Sequence, residues 1–163
     1  VCKSLHKSGV RISFDPNVRK ELMGDPSYFT AVNELMDICS YFLPSDDDAA
    51  ALFPGESLSS FAAKLFAREA AFVVSKRGGQ GSMGISRDGS TFGFDAHKVD
   101  VVDPTGAGDC FCATFVTLIS SGGFPFQKAL QYANAAGALA VTKVGPMEGN
   151  SSLKQIEDFL ARQ

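Results

Sequence analysis

The chain has 163 residues, 45% hydrophobic and 20% charged, enough apolar material for one core, so one domain over residues 1–163 is expected. The formal net charge is −3 and Lys and Arg are scattered rather than striped, which argues against nucleic acid as a partner. No apolar stretch approaches the ~18 residues of a membrane span, and residues 1–11 lack the long apolar region of a signal peptide, so the expected location is cytoplasmic.

Residues 1–10 read as the tail of a helix, with Leu5 its main apolar position and Gly9 its stop, feeding a strand over 10–14. Phe29, Val32, Leu35, Met36 and Cys39 recur at helical spacing and predict a helix over 27–38, followed by a short strand over 41–43 that Pro44 ends. Helices over 46–52 and 58–69 flank the Pro54-Gly55 break, and the apolar run 71–75 suits a buried strand. Such β/α alternation predicts a mostly parallel sheet between helices.

Glycine-rich turns and Arg87-Asp88-Gly89 then set off two short strands, 83–86 and 91–94, as an antiparallel hairpin at the sheet's edge. The last third is helical: 107–120 stopped by Gly122-Gly123, 125–142 with Pro125 in its first turn, and 152–161. No repeat, low-complexity tract or linker divides the chain.

The cysteines, Cys2, Cys39, Cys110 and Cys112, form no C-x-x-C pair, so they read as free thiols rather than a zinc site or disulfide framework. His6 and His97 are the only histidines, and no G-x-S-x-G elbow occurs, so the chemistry is expected to run on carboxylates. Asn150-Ser151-Ser152 fits the glycosylation pattern, which matters only in a secreted chain.

The strongest chemical signal is Asp103-Pro104-Thr105-Gly106-Ala107-Gly108-Asp109, which opens directly into a helix. A glycine-rich turn at a helix N-terminus offers backbone N–H groups to an anion, and Asp109 in the first turn is placed to accept a proton from a hydroxyl. The alternative is a plain helix start, with Asp109 facing the macrodipole and no ligand. A second glycine-rich turn, Ser75-Lys76-Arg77-Gly78-Gly79-Gln80-Gly81, follows a strand. Gly79-Gln80-Gly81-Ser82-Met83-Gly84 satisfies the dinucleotide fingerprint, but that fold needs a helix next, and Ile85-Ser86-Arg87-Asp88-Gly89 reads as strand then turn. No G-x-x-x-x-G-K-[ST] is present. Phe14-Asp15-Pro16-Asn17-Val18-Arg19 ends a strand, at the carboxyl edge where open α/β sheets bind ligands.

The run DPTGAGD, with these segments in the same order along nearly the whole chain, resembles the signature of the ribokinase (PfkB) carbohydrate kinases. The resemblance implies a three-layer α/β/α ribokinase-like fold, a mostly parallel sheet with an antiparallel edge hairpin, and ATP-dependent phosphorylation of a sugar hydroxyl with Mg²⁺. Asp109 would be the catalytic base, with Gly106, Ala107, Gly108 and the Asp109 amide as the anion hole. Lys76, Gly78, Gly79 and Gly81 would form the nucleotide phosphate loop, and Asn134, in Tyr132-Ala133-Asn134-Ala135-Ala136, would sit near the purine or ribose. Asn17 and Arg19 would approach phosphate or substrate. Asp103 and Thr105, with the Ala140 and Gly145 carbonyls, would bind a monovalent cation, K⁺.

Leu43-Pro44-Ser45-Asp46-Asp47-Asp48 stands where the family has N-x-x-E; Ser45 and Asp48 replace its Asn and Glu, leaving Asp48 as a partner for a Mg²⁺-bound water and Ser45 or Asp46 as helix caps. F-D-P-N-x-R and L-P-S look more like 2-keto-3-deoxygluconate or ketohexose (fructose, tagatose) kinases than adenosine kinases. Full-length members are longer, so an N-terminal sugar-binding and lid part, with any homodimer built through it, is expected to be absent. The rival readings are a non-catalytic nucleotide-binding relative serving as regulator or scaffold, and a structural domain whose turns bind nothing.

Overall fold

The computed structural model describes residues 1–163, the side chain of Lys20 excepted. The chain divides into two compact units, Val1–Arg77 with Met83–Thr91, and Gly78–Ser82 with Phe92–Gln163.

In the first unit, α1 (Cys2–Lys7) ends in a Schellman motif: Gly9, at φ 83°, donates to the His6 carbonyl and Val10 donates to the Leu5 carbonyl. This ties Val10 to the helix, so β1 (Ile12–Phe14) starts two residues later than expected. α2 (Pro26–Ile38) is capped by Asp25, whose carboxylate accepts from the Ser27 amide, and runs without a loop into β2 (Cys39–Phe42). The strand therefore begins ahead of the expected 41–43, with Cys39 serving both as helix cap and as first strand residue.

Ser45 and Ser57 cap α3 (Asp46–Leu52) and α4 (Leu58–Phe66). α4 stops short of residue 69 because the Arg68 and Ala70 amides both fold back onto the Leu65 carbonyl. β3 (Phe72–Lys76), β4 (Ser82–Ser86) and β5 (Thr91–Phe94) complete the strands. The sheet order is β1-β2-β3-β4-β5, with β1, β2 and β3 parallel. β4 and β5 turn through Gly89, at φ 90°, where Asp88 accepts from the Ser90 amide and Ser86 donates to the Ser90 carbonyl. Pro44 interrupts rather than ends the β2–β3 pairing, which resumes as a parallel bridge between Ser45 and Lys76.

Parallel pairing sends β1, β2 and β3 out at the same edge of the sheet, where their following residues supply the loops that open α/β sheets use for ligands. Val32 and Met36 of α2, Phe61, Ala62 and Leu65 of α4, and Phe42 and Val73 of the strands pack as one buried cluster. Phe53 stacks on Phe61 at 4.9 Å within it. Cys39 is fully buried among them, and that burial pushes its thiol pKa up to about 12.

The second unit holds α5 (Ala107–Ser120), α6 (Phe126–Ala140) and α7 (Leu153–Leu160). Pro125 is the extended N-cap of α6, at φ −67° and ψ 157°, rather than a residue of its first turn. The alanine-rich α6 buries Ala129, Ala133, Ala135 and Ala136, and Gly137 faces the start of α5, where a Cβ would make ordinary contact with the Ala107 carbonyl at 3.5 Å. Phe126 packs edge-on against both Phe92 and Phe115. A Ser152–Gln155 capping box begins α7, which buries Ile156. Among the described residues no helix is long and apolar enough to cross a membrane.

Candidate active site

At the carboxyl edge of the first unit, three segments are joined by their own side chains. Asp15, just beyond β1, forms an ion pair with Lys76 at the end of β3; both are mostly buried, which strengthens such a pair relative to a solvated one. Ser75 donates its hydroxyl to Asp46 at 2.6 Å. Asp48, 6% exposed, closes a capping box with Ser45: its Oδ2 accepts from the Ser45 amide at 2.9 Å and the Ser45 hydroxyl at 2.7 Å, while the Asp48 amide donates to Ser45 Oγ at 3.1 Å. Asp48 Oδ1 accepts from the Val18 amide at 2.6 Å.

Asn17 and Arg19 flank that amide and are exposed. Asn17 is at φ 42°, the one non-glycine residue with positive φ among the described residues, a conformation that Asn tolerates better than most. The Arg19 amide donates to the Tyr28 hydroxyl at 3.4 Å.

In the second unit the glycines of the loop Gly78 to Gly81 fall into two kinds. Gly78, at φ 51°, and Gly79 have open space where a Cβ would stand. Gly81, at φ 86°, is crowded: a Cβ there would lie 1.9 Å from the Phe94 carbonyl oxygen, so the approach of its own chain explains the glycine. β4 follows this loop, so the dinucleotide fingerprint lacks the helix it requires.

The DPTGAGD turn is assembled around Asp103. Its Oδ1 accepts from the Thr105 amide at 2.9 Å and its Oδ2 from the Gly145 amide at 2.8 Å. The hydrogen bonds from Thr105, then the one from Gly145, hold its carboxyl below the usual carboxylate range. Asp103, Thr105 and Gly145 are thereby brought together, and the Asp103 and Val102 amides both donate to the carbonyl of Val141, next to Ala140.

Gly106, at φ 80°, is the N-cap of α5, and a Cβ on it would stand 2.2 Å from the Pro146 carbonyl oxygen. Side chains cap α2, α3, α4 and α7, while α1, α5 and α6 have no side-chain cap. Asp109 is exposed in its first turn. Beside it, burial and the Asp109 charge raise the Cys110 thiol, which donates to Asn150 Oδ1 at 2.8 Å.

Asn134 lies within the second unit. It is 8% exposed, its Oδ1 accepts from the Ser82 hydroxyl at 3.2 Å, and its Nδ2 donates to the Asp95 carbonyl at 2.8 Å. Both ends of the amide are engaged by the protein, which ties α6 to Ser82 and to the segment after β5. Sequence reasoning also passed over Asp15, whose partner lies 61 positions away, and Ser82 and Asp95, whose link to Asn134 spans 52 and 39.

Comparison with known proteins bears on this geometry. The family model described as pfkB family carbohydrate kinase matches residues 1–153. The 2-dehydro-3-deoxygluconokinase of Bacillus subtilis is 32% identical over 166 residues, covering 100% of this chain and 50% of that protein. The ribokinase of the same organism is 31% identical, covering 99% and 50%. Among solved structures, the Escherichia coli protein called ribokinase II, in complex with ATP and Mg²⁺, is 38% identical with a TM-score of 0.92, covering 99% of this chain and 52% of that one. The chain thus spans about half the length of the curated relatives it matches. The fold they share is the ribokinase-like α/β fold, with its mostly parallel sheet and antiparallel edge.

Proposed function

This chain belongs to the pfkB family of carbohydrate kinases, and from that premise we propose that it carries the nucleotide-binding and catalytic part of an enzyme that phosphorylates a sugar hydroxyl with ATP. The observation that carries the reading is the start of α5: a left-handed glycine, no side-chain cap, and a carboxylate in the first turn. The amides of Gly106, Ala107, Gly108 and Asp109 then act as preorganised donors for charge developing on the transferred phosphoryl group. Asp109 takes the proton of the acceptor hydroxyl as its oxygen bonds to the γ-phosphorus and the bond to the β-phosphate oxygen breaks.

Gly78 and Gly79, with nothing in the space a Cβ would fill, suit the close approach of a phosphate to the loop after β3. Lys76, which the family resemblance assigns to the nucleotide phosphate, is ion-paired with Asp15. Asn17 and Arg19, exposed beyond β1, are the side chains assigned to phosphate or sugar. The two hydrogen bonds of Asn134 favour a structural role for it over the purine or ribose contact that the family resemblance assigns.

Mg²⁺, when bound, would supply positive charge to offset that of the phosphate oxygens. Asp48 does not fit as the holder of a Mg²⁺-bound water, because three of its roughly four acceptor positions are filled by its own chain and its side chain is buried. Asp103 and Thr105, with the Ala140 and Gly145 carbonyls, are the groups assigned to a monovalent cation such as K⁺, and the bonds of Asp103 to the Thr105 and Gly145 amides gather three of these residues in one turn. The Phe14-Asp15-Pro16-Asn17-Val18-Arg19 segment, with the similarity to a 2-dehydro-3-deoxygluconokinase, supports 2-keto-3-deoxygluconate or a ketohexose as acceptor.

The test is ADP release by the full-length protein with Mg²⁺-ATP against 2-keto-3-deoxygluconate, fructose, tagatose, ribose and adenosine, in K⁺ and in Na⁺. Turnover with one of the first three is expected, falling ~10²–10⁴-fold in D109N. ATP binding without turnover on any acceptor, or D109N as active as the parent, would overturn the reading.

A further inference from the structure

The family's acidic position before the β3 edge is held here by Asp48, and its carboxylate points back into its own chain. Resting on the kinase reading for the roles of Asn17 and Arg19, we propose that Asp48 is a positioning residue: it fixes the loop 17–19 for phosphate or sugar binding rather than serving a metal.

Two bonds define the arrangement. Asp48 Oδ1 accepts from the Val18 amide at 2.6 Å across 30 positions of sequence, while Oδ2 is anchored by the Ser45 amide and hydroxyl. The capping box therefore fixes the carboxylate, and the carboxylate fixes Val18. Val18 is the peptide that follows Asn17, at positive φ, so its N–H direction depends on a backbone state that Asn tolerates and that the Asp48 bond helps to select. The next amide, Arg19, is tied to the Tyr28 hydroxyl, so both peptides leading into the Arg19 side chain are anchored by packed helices, α3 and α2.

A buried anion that accepts from a backbone amide is among the stronger hydrogen bonds of a protein, and removing it leaves that amide unpaired. In D48N one oxygen becomes an NH₂ group, so a donor must face either Val18 or Ser45. In S45A the Oδ1 bond to Val18 survives while the cap is weakened.

The experiment uses the full-length protein and three readouts: exchange of the Val18 amide by NMR, kinetics for ATP and sugar, and the Mg²⁺ concentration for half-maximal rate. D48N is expected to speed Val18 exchange about tenfold or more. It should also raise KM for ATP or sugar severalfold with kcat within about twofold, since loss of ground-state positioning acts on KM. The Mg²⁺ requirement should not move. S45A, which keeps the Ser45 amide on Oδ2 and loses only the hydroxyl, should lower the melting temperature and speed Val18 exchange much less than D48N does.

Unchanged Val18 exchange in D48N, or faster exchange with no change in either KM, overturns the proposal. So does a Mg²⁺ requirement that shifts with no change in KM, which would return Asp48 to the metal. If D48N does not fold, the parent protein decides: Val18 must exchange as slowly as the Leu43 amide, which is bonded to Phe14 in the adjacent strand pair, and rapid exchange refutes the latch. A parent that turns over no sugar defeats the kinase reading alone, and Val18 exchange still reports on the latch.

Discussion

The start of α5 can be tested by a methyl group. Gly106→Ala forces an L-residue to φ 80° and places its Cβ 2.2 Å from the Pro146 carbonyl oxygen, 2.9 Å from its carbonyl carbon. The left-handed conformation costs an alanine about 1–2 kcal/mol. The obstructing atoms are backbone rather than the end of a flexible side chain, so relief requires the loop carrying Pro146 to move, adding about 1–3 kcal/mol on the scale of overpacked sites.

The sum is roughly 2–5 kcal/mol, or about 4–20 °C in Tm for a chain of this size. Gly55→Ala is the control, because Gly55 has φ 77° but open space at its Cβ position. It should lose only the conformational part, about 1–2 kcal/mol. Urea and thermal unfolding of the two variants isolate the Pro146 contact by difference. Equal losses would refute the crowding argument. A destabilised Gly106→Ala with full turnover would refute the anion-hole role of this turn.

Acid should act on the same turn. Asp103 is held below the usual carboxylate range by Thr105 and Gly145, so its contribution is fully present above the unfolded value of about 4 and is lost as pH falls through the lowered one; D103N should flatten that part of the stability profile measured by thermal melts. Asn134→Leu leaves the Ser82 hydroxyl and Asp95 carbonyl without that partner and should cost ~1–3 kcal/mol in urea unfolding with ATP affinity intact; lost affinity at unchanged stability would restore a nucleotide contact. Buried Cys39, its thiol raised to about 12, should resist iodoacetamide at pH 8 in the native state while exposed Cys2 is alkylated, as read by peptide mass.

What the sequence made legible follows the range of the interactions concerned. α3 and α5 appear at their expected bounds because local chemistry sets them: a capping box at Ser45 and a left-handed Gly106. The ends that moved, at Val10, Cys39 and Phe66, were moved by backbone bonds that no periodicity of side chains encodes. Asp109 and the glycines before it were legible because seven consecutive residues hold the chemistry. Asp48, Asn134 and Lys76 were legible as polar residues in interesting places, but their partners lie 30, 39 and 61 positions away, and only the fold reveals what they bind.

That difference sorts the polar residues by what they can do. A group that the chain satisfies with its own donors and acceptors is committed to shape, since releasing it for a ligand would leave buried partners unpaired. Asn134 and Asp48 are in that state. Asp109, Asn17 and Arg19 are exposed beside backbone that has been fixed for them, by the Gly106 turn in one unit and by the Asp48 and Tyr28 bonds in the other. The first group should therefore answer to mutation mainly in stability and exchange, and the second mainly in turnover and KM. A side chain that answered in the opposite currency would show that its assignment here was wrong.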